Sequence, residues 1–314
     1  MNTPCPLASP AFPEASWEGL RACDPIWIAG AAVDALIAEA RLTPKPGLVD
    51  GRGSGCHTDL SLDLMERSAR SLGPCFQAMT RAAAVGHPGP GLRETLAAIG
   101  RDGEQAMYAA TEGVNTHKGA IFALGLLVAA AVMATDSADA AQVARLAAAI
   151  AAYRDGNAPD LGQTNGGRAM RRYRVVGALG EARAGFPHVV DAALPALWAS
   201  RRHGADENCA RLDALMAIMA DLDDTCLLHR GGTAALDAAK AGAREVLDRG
   251  GTASTAGRFA LDHLDHTLRT RNVSPGGSGD LLAATLFLDV LANPSSPLPR
   301  VDIDQHGEPQ PWNY

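Results

Sequence analysis

Apolar residues return every three to four positions along most of this chain, the spacing of one face of an α-helix. The first such run extends from Ile26 to Leu42. Thr43-Pro44-Lys45-Pro46-Gly47 stops it, because each proline removes a backbone donor and bars the residue before it from the helical region. A second run opens at Thr58 and reaches Val85, with Gly73-Pro74 as an expected interruption. Further runs predict helices over 92–111, 117–135, 138–153, 187–203, 206–220, 233–249, 255–271 and 281–292, with Thr116 and Ser137 placed as N-caps. The stretch from Gly119 to Ala134 is apolar on every side and too short for a membrane span, so it reads as a buried core helix. Only residues 172–179, RYRVVGAL, have any strand character. Strands alternating with helices are absent, as are internal repeats. The pattern predicts an all-α protein: one compact multi-helix domain over 25–293, a loose Pro-rich arm over 1–24 and a polar tail over 294–314.

Composition agrees with close helix packing. Hydrophobic residues make up 47% of the 314 residues, enough for a core, while aromatics are only 4%, fewer than a sandwich or barrel would use. The net charge of −7 excludes a global electrostatic footprint for nucleic acid. An anionic ligand would therefore need a local basic cluster or a metal ion. Cysteines at 5, 23, 56, 75, 209 and 226 form no Cys-x-x-Cys pair or zinc spacing, and no secretory leader or membrane segment is visible. Free thiols in a reducing cytoplasm are the expectation. The basic residues are lopsided, with 25 Arg and three Lys, and Lys45 and Lys118 fall in the two most unusual stretches. A Lys kept where Arg is the rule suggests a site wanting a compact ammonium.

Four loops differ from ordinary connectors. Thr43 to Asp50 holds Lys45 between two prolines and leads to His57 and Asp59, with Asp59 expected in the first turn of the next helix. Gly113 to Gly119 sets Asn115 and Thr116 before His117 and Lys118, at the start of the apolar helix, where free N–H groups would accept phosphate oxygens. Asp221, Asp223 and Asp224 repel one another and would be relieved by a cation such as Mg²⁺. They precede His229, Arg230 and Gly231, and a helix is expected to open at Thr233. Ser274, Gly276, Gly277 and Ser278 form a glycine-rich nest for an anion, followed by Asp280 as a base or metal ligand. Each loop alone has a bland explanation as a turn, a cap or a solvated acidic run. Together they suggest a nucleotide polyphosphate with a divalent metal, in a site formed by inter-helix loops.

Taken in order, TPKPGLVD (43–50), GVNTHKG (113–119), DDTCLLHRGG (223–232) and SPGGSGDLLA (274–283) resemble the motifs of the triphosphoribosyl-dephospho-coenzyme A synthases. Gly180-Glu181-Ala182 followed by Gly185-Phe186-Pro187 is similar as well, and the resemblance spans residues 26–292. Four positions depart from the family pattern: Cys226 for Asn, Cys56 for Ala, Gly279 for Ala, and Leu179 for a basic residue. The resemblance implies a transferase. The ribose 2′-hydroxyl of 3′-dephospho-coenzyme A would attack C1 of the ATP ribose, and adenine would leave. The product would later be attached to an acyl-carrier subunit by a downstream transferase. Leu222-Asp223-Asp224-Thr225 and a chain holding this domain alone lean towards the malonate decarboxylase system over citrate lyase.

On that reading, Lys45, Lys118, Arg230 and the nest at Gly276–Gly279 hold phosphate, with Asn115, Thr116, Gly231, Ser274 and Ser278 beside the nucleotide. Asp223, Asp224 and Asp280 are assigned to Mg²⁺ or base roles, and His57, His117 and His229 are candidates for proton transfer. Two rivals stand beside it. Gly277 to Asp280 also resembles the anion hole of a ribokinase-like sugar or nucleoside kinase, which would need a large sheet. A non-catalytic helical acyl-carrier adaptor would need no ATP. The sequence leaves the identity of the base open, and also the choice between monomer and homodimer.

Overall fold

Proline, glycine and short polar runs cut the helical pattern into separate rods. The computed structural model describes residues 24–158 and 160–294. The expected arm and tail lie outside these residues, apart from Asp24 and Pro294. In chain order the helices are α1 (Pro25–Arg41), α2 (Leu62–Ser71), α3 (Gly73–Ala84), α4 (Pro90–Ala110), α5 (Lys118–Met133), α6 (Ala140–Ala151), α7 (Asn165–Tyr173) and α8 (Gly177–Arg183). They continue with α9 (Leu194–Arg202), α10 (Glu207–Met219), α11 (Thr225–Asp248), α12 (Thr255–Thr270) and α13 (Gly276–Ala292). Short 3₁₀ and π turns precede α7 and α9, at Leu161–Gln163 and His188–Ala193. The described residues contain no strand, only an isolated bridge between Asp50 and Gly53. The all-α expectation holds, and the sheet that a ribokinase-like fold requires is absent from the described residues. No described helix is long and apolar enough to cross a membrane.

Helices α1, α5 and α13 are apolar nearly all round, so burial on every side is the stable solution. α13 packs on both α1 and α5, and α3 closes over α1 and α5. Small residues let these rods approach. Gly125 of α5 has no Cβ because Met79 of α3 fills that space, its Sδ 2.8 Å from where a Cβ would stand. A second layer, α10 to α12, joins the first through α10 against α13.

Several local expectations are corrected. The helix expected from Thr58 starts at Leu62, where Ser61 Oγ accepts from the Leu64 N–H at 3.2 Å, so Asp59 lies outside it and is exposed. Thr116 and Ser137 are not caps: His117 and Asp139 take those positions. The strand candidate at 172–179 is the end of α7 and the start of α8. Arg174 in the left-handed region (φ 59°) and Gly177 (φ 61°) turn the chain between them. The helix expected at Thr233 begins at Thr225 and is broken at Gly232, whose φ of 66° and ψ of −164° no helix allows. The last helix starts at Gly276, five residues before the expected Leu281.

Candidate active site

The loop 43–57 is tied down by buried carboxylates. Asp50 accepts the Lys45 N–H at 2.8 Å and the Arg52 guanidinium at 2.8 Å, and Asp265 of α12 accepts the Gly47 N–H at 2.9 Å. Gly47 itself is pressed against the Val273 carbonyl with φ of 70°, a place no side chain fits. This loop, the start of α5, the start of α11 and the start of α13 converge on a cavity of about 640 Å³. That lies within the range of roughly 300–1,000 Å³ usual for small-molecule sites. Residues 163–167 and α8 form a further wall.

From the four loops, Lys45, His57, Asn115, Thr116, His117 and Lys118 reach the cavity. Asp223, Asp224, His229, Arg230, Ser274, Gly276, Gly277 and Asp280 reach it as well. Two expected contacts do not. Gly231 packs against Val273 and Ala235 instead. Ser278 is fully buried, and both its N–H and its hydroxyl donate to Asp224 Oδ2, at 2.8 and 2.9 Å.

The basic groups are not waiting for phosphate. Lys45 is 1% exposed and donates to Glu39 Oε1 at 2.6 Å and to the Glu39 carbonyl at 2.5 Å. Lys118 lines the cavity and pairs with Glu104 at 2.5 Å. Arg230 donates to the Cys56 carbonyl at 3.1 Å and approaches His57 Nδ1 at 3.2 Å. Burial, aided by the Arg230 charge and opposed by Asp59, lowers the pKa of His57 to about 4. His57 is therefore neutral near pH 7 and is no proton donor there.

The acids divide three ways. Asp223 is half-exposed and paired with Lys240 at 2.7 Å. Asp224 is buried and caps α11. Its Oδ1 accepts the Cys226 and Leu227 N–H groups at 2.8 and 3.4 Å, and its Oδ2 accepts both Ser278 donors. Burial pushes the Asp224 carboxyl up, against these hydrogen bonds. Asp280 lies where Gly119 lacks a Cβ, and any side chain at 119 would overlap its Oδ2. The Ala120 N–H donates to it, so the acceptor at the start of α5 is the protein's own carboxyl group and not an incoming phosphate. Burial first, then the charges of Glu39 and Asp224, raise the Asp280 pKa well above the carboxylate range.

Among the described residues no group of three or more His, Cys, Asp or Glu is placed to hold a metal ion, so Asp223, Asp224 and Asp280 do not form one metal site. Asp280 and Glu39, both on the cavity wall, are oxygen donors of the kind that would suit a Mg²⁺ carried in on a polyphosphate. Such an ion takes one or two protein carboxylates and completes its shell with phosphate and water.

Sequence reasoning missed Glu39, Glu104, Ser68 and the wall at 163–167. One signal was available for Glu39: a carboxylate inside a helix that is otherwise apolar around that position. Of the four departures, Gly279 has a physical reading. A Cβ there would stand 3.1 Å from Glu39 Oε1, so the glycine leaves room for that carboxylate. Cys226 Sγ lies 3.0 Å from the Cβ position of Gly276 and takes the Gly277 N–H.

A helical chain whose loops gather carboxylates, neutral histidines and glycine-rich helix starts around one cavity belongs to the class of enzymes that handle a polar, nucleotide-sized substrate. The sequence model of the ATP:dephospho-CoA triphosphoribosyl transferases matches residues 25–297. The chain is 54% identical over 266 residues to the Klebsiella pneumoniae 2-(5''-triphosphoribosyl)-3'-dephosphocoenzyme-A synthase, covering 85% of this chain and 95% of that protein. A Pseudomonas aeruginosa (strain UCBPP-PA14) protein, named as a probable synthase of the same kind, is 56% identical over 265 residues, covering 84% of this chain and 90% of its own length. No solved structure matches. The chain belongs to the ATP:dephospho-CoA triphosphoribosyl transferase family and is a transferase.

Proposed function

We propose that the cavity transfers the 5-triphosphoribosyl group of ATP to the ribose 2′-hydroxyl of 3′-dephospho-coenzyme A, releasing adenine. The observation that carries this reading is the crowding of Glu39, Asp224 and Asp280 where α5 and α13 begin. A carboxyl that ionises beside C1 as positive charge develops there stabilises an oxocarbenium-like transition state, as in glycoside cleavage. Ser274 is buried with its hydroxyl unpartnered at the start of α13, beside Gly276, and suits a phosphate oxygen. Lys118 and Arg230 stand near enough to the cavity to exchange their present partners for the triphosphate. Mg²⁺, when bound, would be held by Asp280 and Glu39 and would neutralise charge on the polyphosphate.

We place the product in the maturation of an acyl-carrier subunit, through a second transferase, and favour the malonate decarboxylase system on the Leu222-Asp223-Asp224-Thr225 motif. The test is direct. Purified protein given ATP and dephospho-coenzyme A should release adenine in step with the acceptor consumed. ADP in its place would support phosphoryl transfer, and no release of either would overturn the reading. The two acyl-carrier systems separate by supplying the product and each carrier with its own attaching enzyme.

A further inference from the structure

His117 is buried and lines the cavity, yet its Nε2 has no hydrogen-bond partner. The other ring nitrogen is committed: Nδ1 lies 2.8 Å from Ser68 Oγ, which in turn lies 2.5 Å from Thr116 Oγ1. The backbone N–H of the same residue turns to Met107 Sδ at 3.3 Å. One edge of the ring is thus held by two hydroxyls, and the other is left unsatisfied. Buried polar atoms without partners are few in native proteins, and one on a residue that lines a cavity calls for a partner from outside the protein.

The place on the chain narrows that ligand. His117 is two residues before Gly119, against which Asp280 lies. The carboxylates that face the ribose therefore adjoin the turn that carries the imidazole. The part of the substrate joined to ribose C1 is the nucleobase. Burial and the neighbouring Lys45 lower the ring's pKa to about 3, so it is neutral. A neutral imidazole offers a single N–H or lone pair, which suits an uncharged heterocycle better than a phosphate.

We propose that His117 Nε2–H donates a hydrogen bond to a ring nitrogen of the departing adenine, a role that rests on the triphosphoribosyl-transfer reading above. Ser68, donating to Nδ1, keeps the hydrogen on Nε2; Ser68 and Thr116 are positioning residues that act through the ring. In the transfer, the bond from ribose C1 to adenine N9 breaks and its electron pair goes to adenine. The acceptor 2′-oxygen forms the new bond to C1 and loses its proton, and one proton ends on adenine, so the step neither takes up nor releases protons overall. The His117 hydrogen bond strengthens as charge builds on the base, without giving up its own proton.

The test crosses protein variants with substrate analogues in which one ring nitrogen is carbon, 3-deaza-ATP and 7-deaza-ATP. Base release in a single turnover with dephospho-coenzyme A is the readout. Wild-type protein should slow by about tenfold or more with one of the two analogues. His117→Leu should slow similarly with ATP and lose nothing further with that analogue, while His117→Gln, which keeps an N–H near Nε2, should recover part of the rate. Additive losses with both analogues overturn the proposal. If His117→Leu does not fold, Ser68→Ala and His117→Gln run through the same cycle: a loss shared with one analogue supports the hydrogen bond, and additive losses with both overturn it. Failure of wild-type protein to release adenine from ATP would instead sink the transfer reading, which keeps the two failures apart.

Discussion

Lys45 Nζ lies 2.6 Å from Glu39 Oε1 and 2.5 Å from the Glu39 carbonyl oxygen, which spends the ammonium inside the protein. Lys45→Met should therefore cost stability as well as activity. Removing one partner of a buried pair typically costs about 3–5 kcal/mol, because the other charge stays behind uncompensated. The double variant Lys45→Met/Glu39→Gln should regain part of that loss. Urea unfolding midpoints decide it: a single variant as stable as wild type would mean that the pair contributes nothing.

Lys118 is the contrasting case. Both it and its partner Glu104 meet solvent, so their ion pair is worth little to the fold. Lys118→Met should keep its melting temperature while the KM for ATP rises about ten- to a hundredfold, the loss of one charge-assisted phosphate contact. An unchanged KM would leave Glu104 as the sole purpose of this lysine.

Asp223 and Asp224 are neighbours with different jobs. Asp223→Asn removes a half-exposed ion pair and should leave the unfolding midpoint almost where it was. Asp224→Asn sets an amide against the two Ser278 donors or the α11 N–H groups, and should cost about 1–3 kcal/mol. From the sequence alone both changes look neutral or stabilising, since they relieve repulsion. The capping geometry reverses that expectation for Asp224. Equal midpoints for the two variants would refute the distinction.

Stability should also bend with pH in two places. The pKa of His188 is raised, chiefly by its 2.7 Å hydrogen bond to Glu181. Its contribution is complete below the unfolded-state value of about 6.5 and fades as pH rises through the folded value above it. His117 works in the opposite sense. With a folded pKa of about 3, it takes no proton while the unfolded chain does, so stability falls as pH drops below about 6.5. Unfolding free energies from pH 5 to 9 should lose the alkaline limb in His188→Gln and part of the acid limb in His117→Gln. Profiles that superpose on wild type would contradict both assignments.

The architecture could be read from the chain because it follows from local pattern. The apolar runs of α5 and α13 predict buried rods, and the prolines after Leu42 predict the end of α1. What could not be read depends on distant partners. Glu39 meets Lys45 across the turn that ends α1, but it meets Asp280 only after α1 and α13 pack together, and no spacing rule encodes that. Tyr173, Val175 and Val176 look like strand because β-branched and aromatic residues cluster there. Two short helices of nine and seven residues give too few turns for their periodicity to show. The four loops singled out in the sequence all contribute residues to the cavity's lining. Their partners were not foreseen, because lysine and carboxylate types announce charge without announcing what neutralises it.

The fit of Asp280 into the space left by Gly119 makes two positions, far apart in the chain, answer to one another during sequence drift. A first change at 119 to any larger residue must displace the carboxylate that the site is built around, so it is lost before a compensating change can arise at 280. Change in the other order meets no steric barrier, since shortening Asp280 opens room beside Gly119. It forfeits the carboxyl group instead. The pair can therefore be left only through an inactive intermediate. A library randomised at 119 and 280 together and selected for adenine release should return glycine with aspartate, while survivors selected for folding alone should include larger residues at 119 wherever 280 has become small.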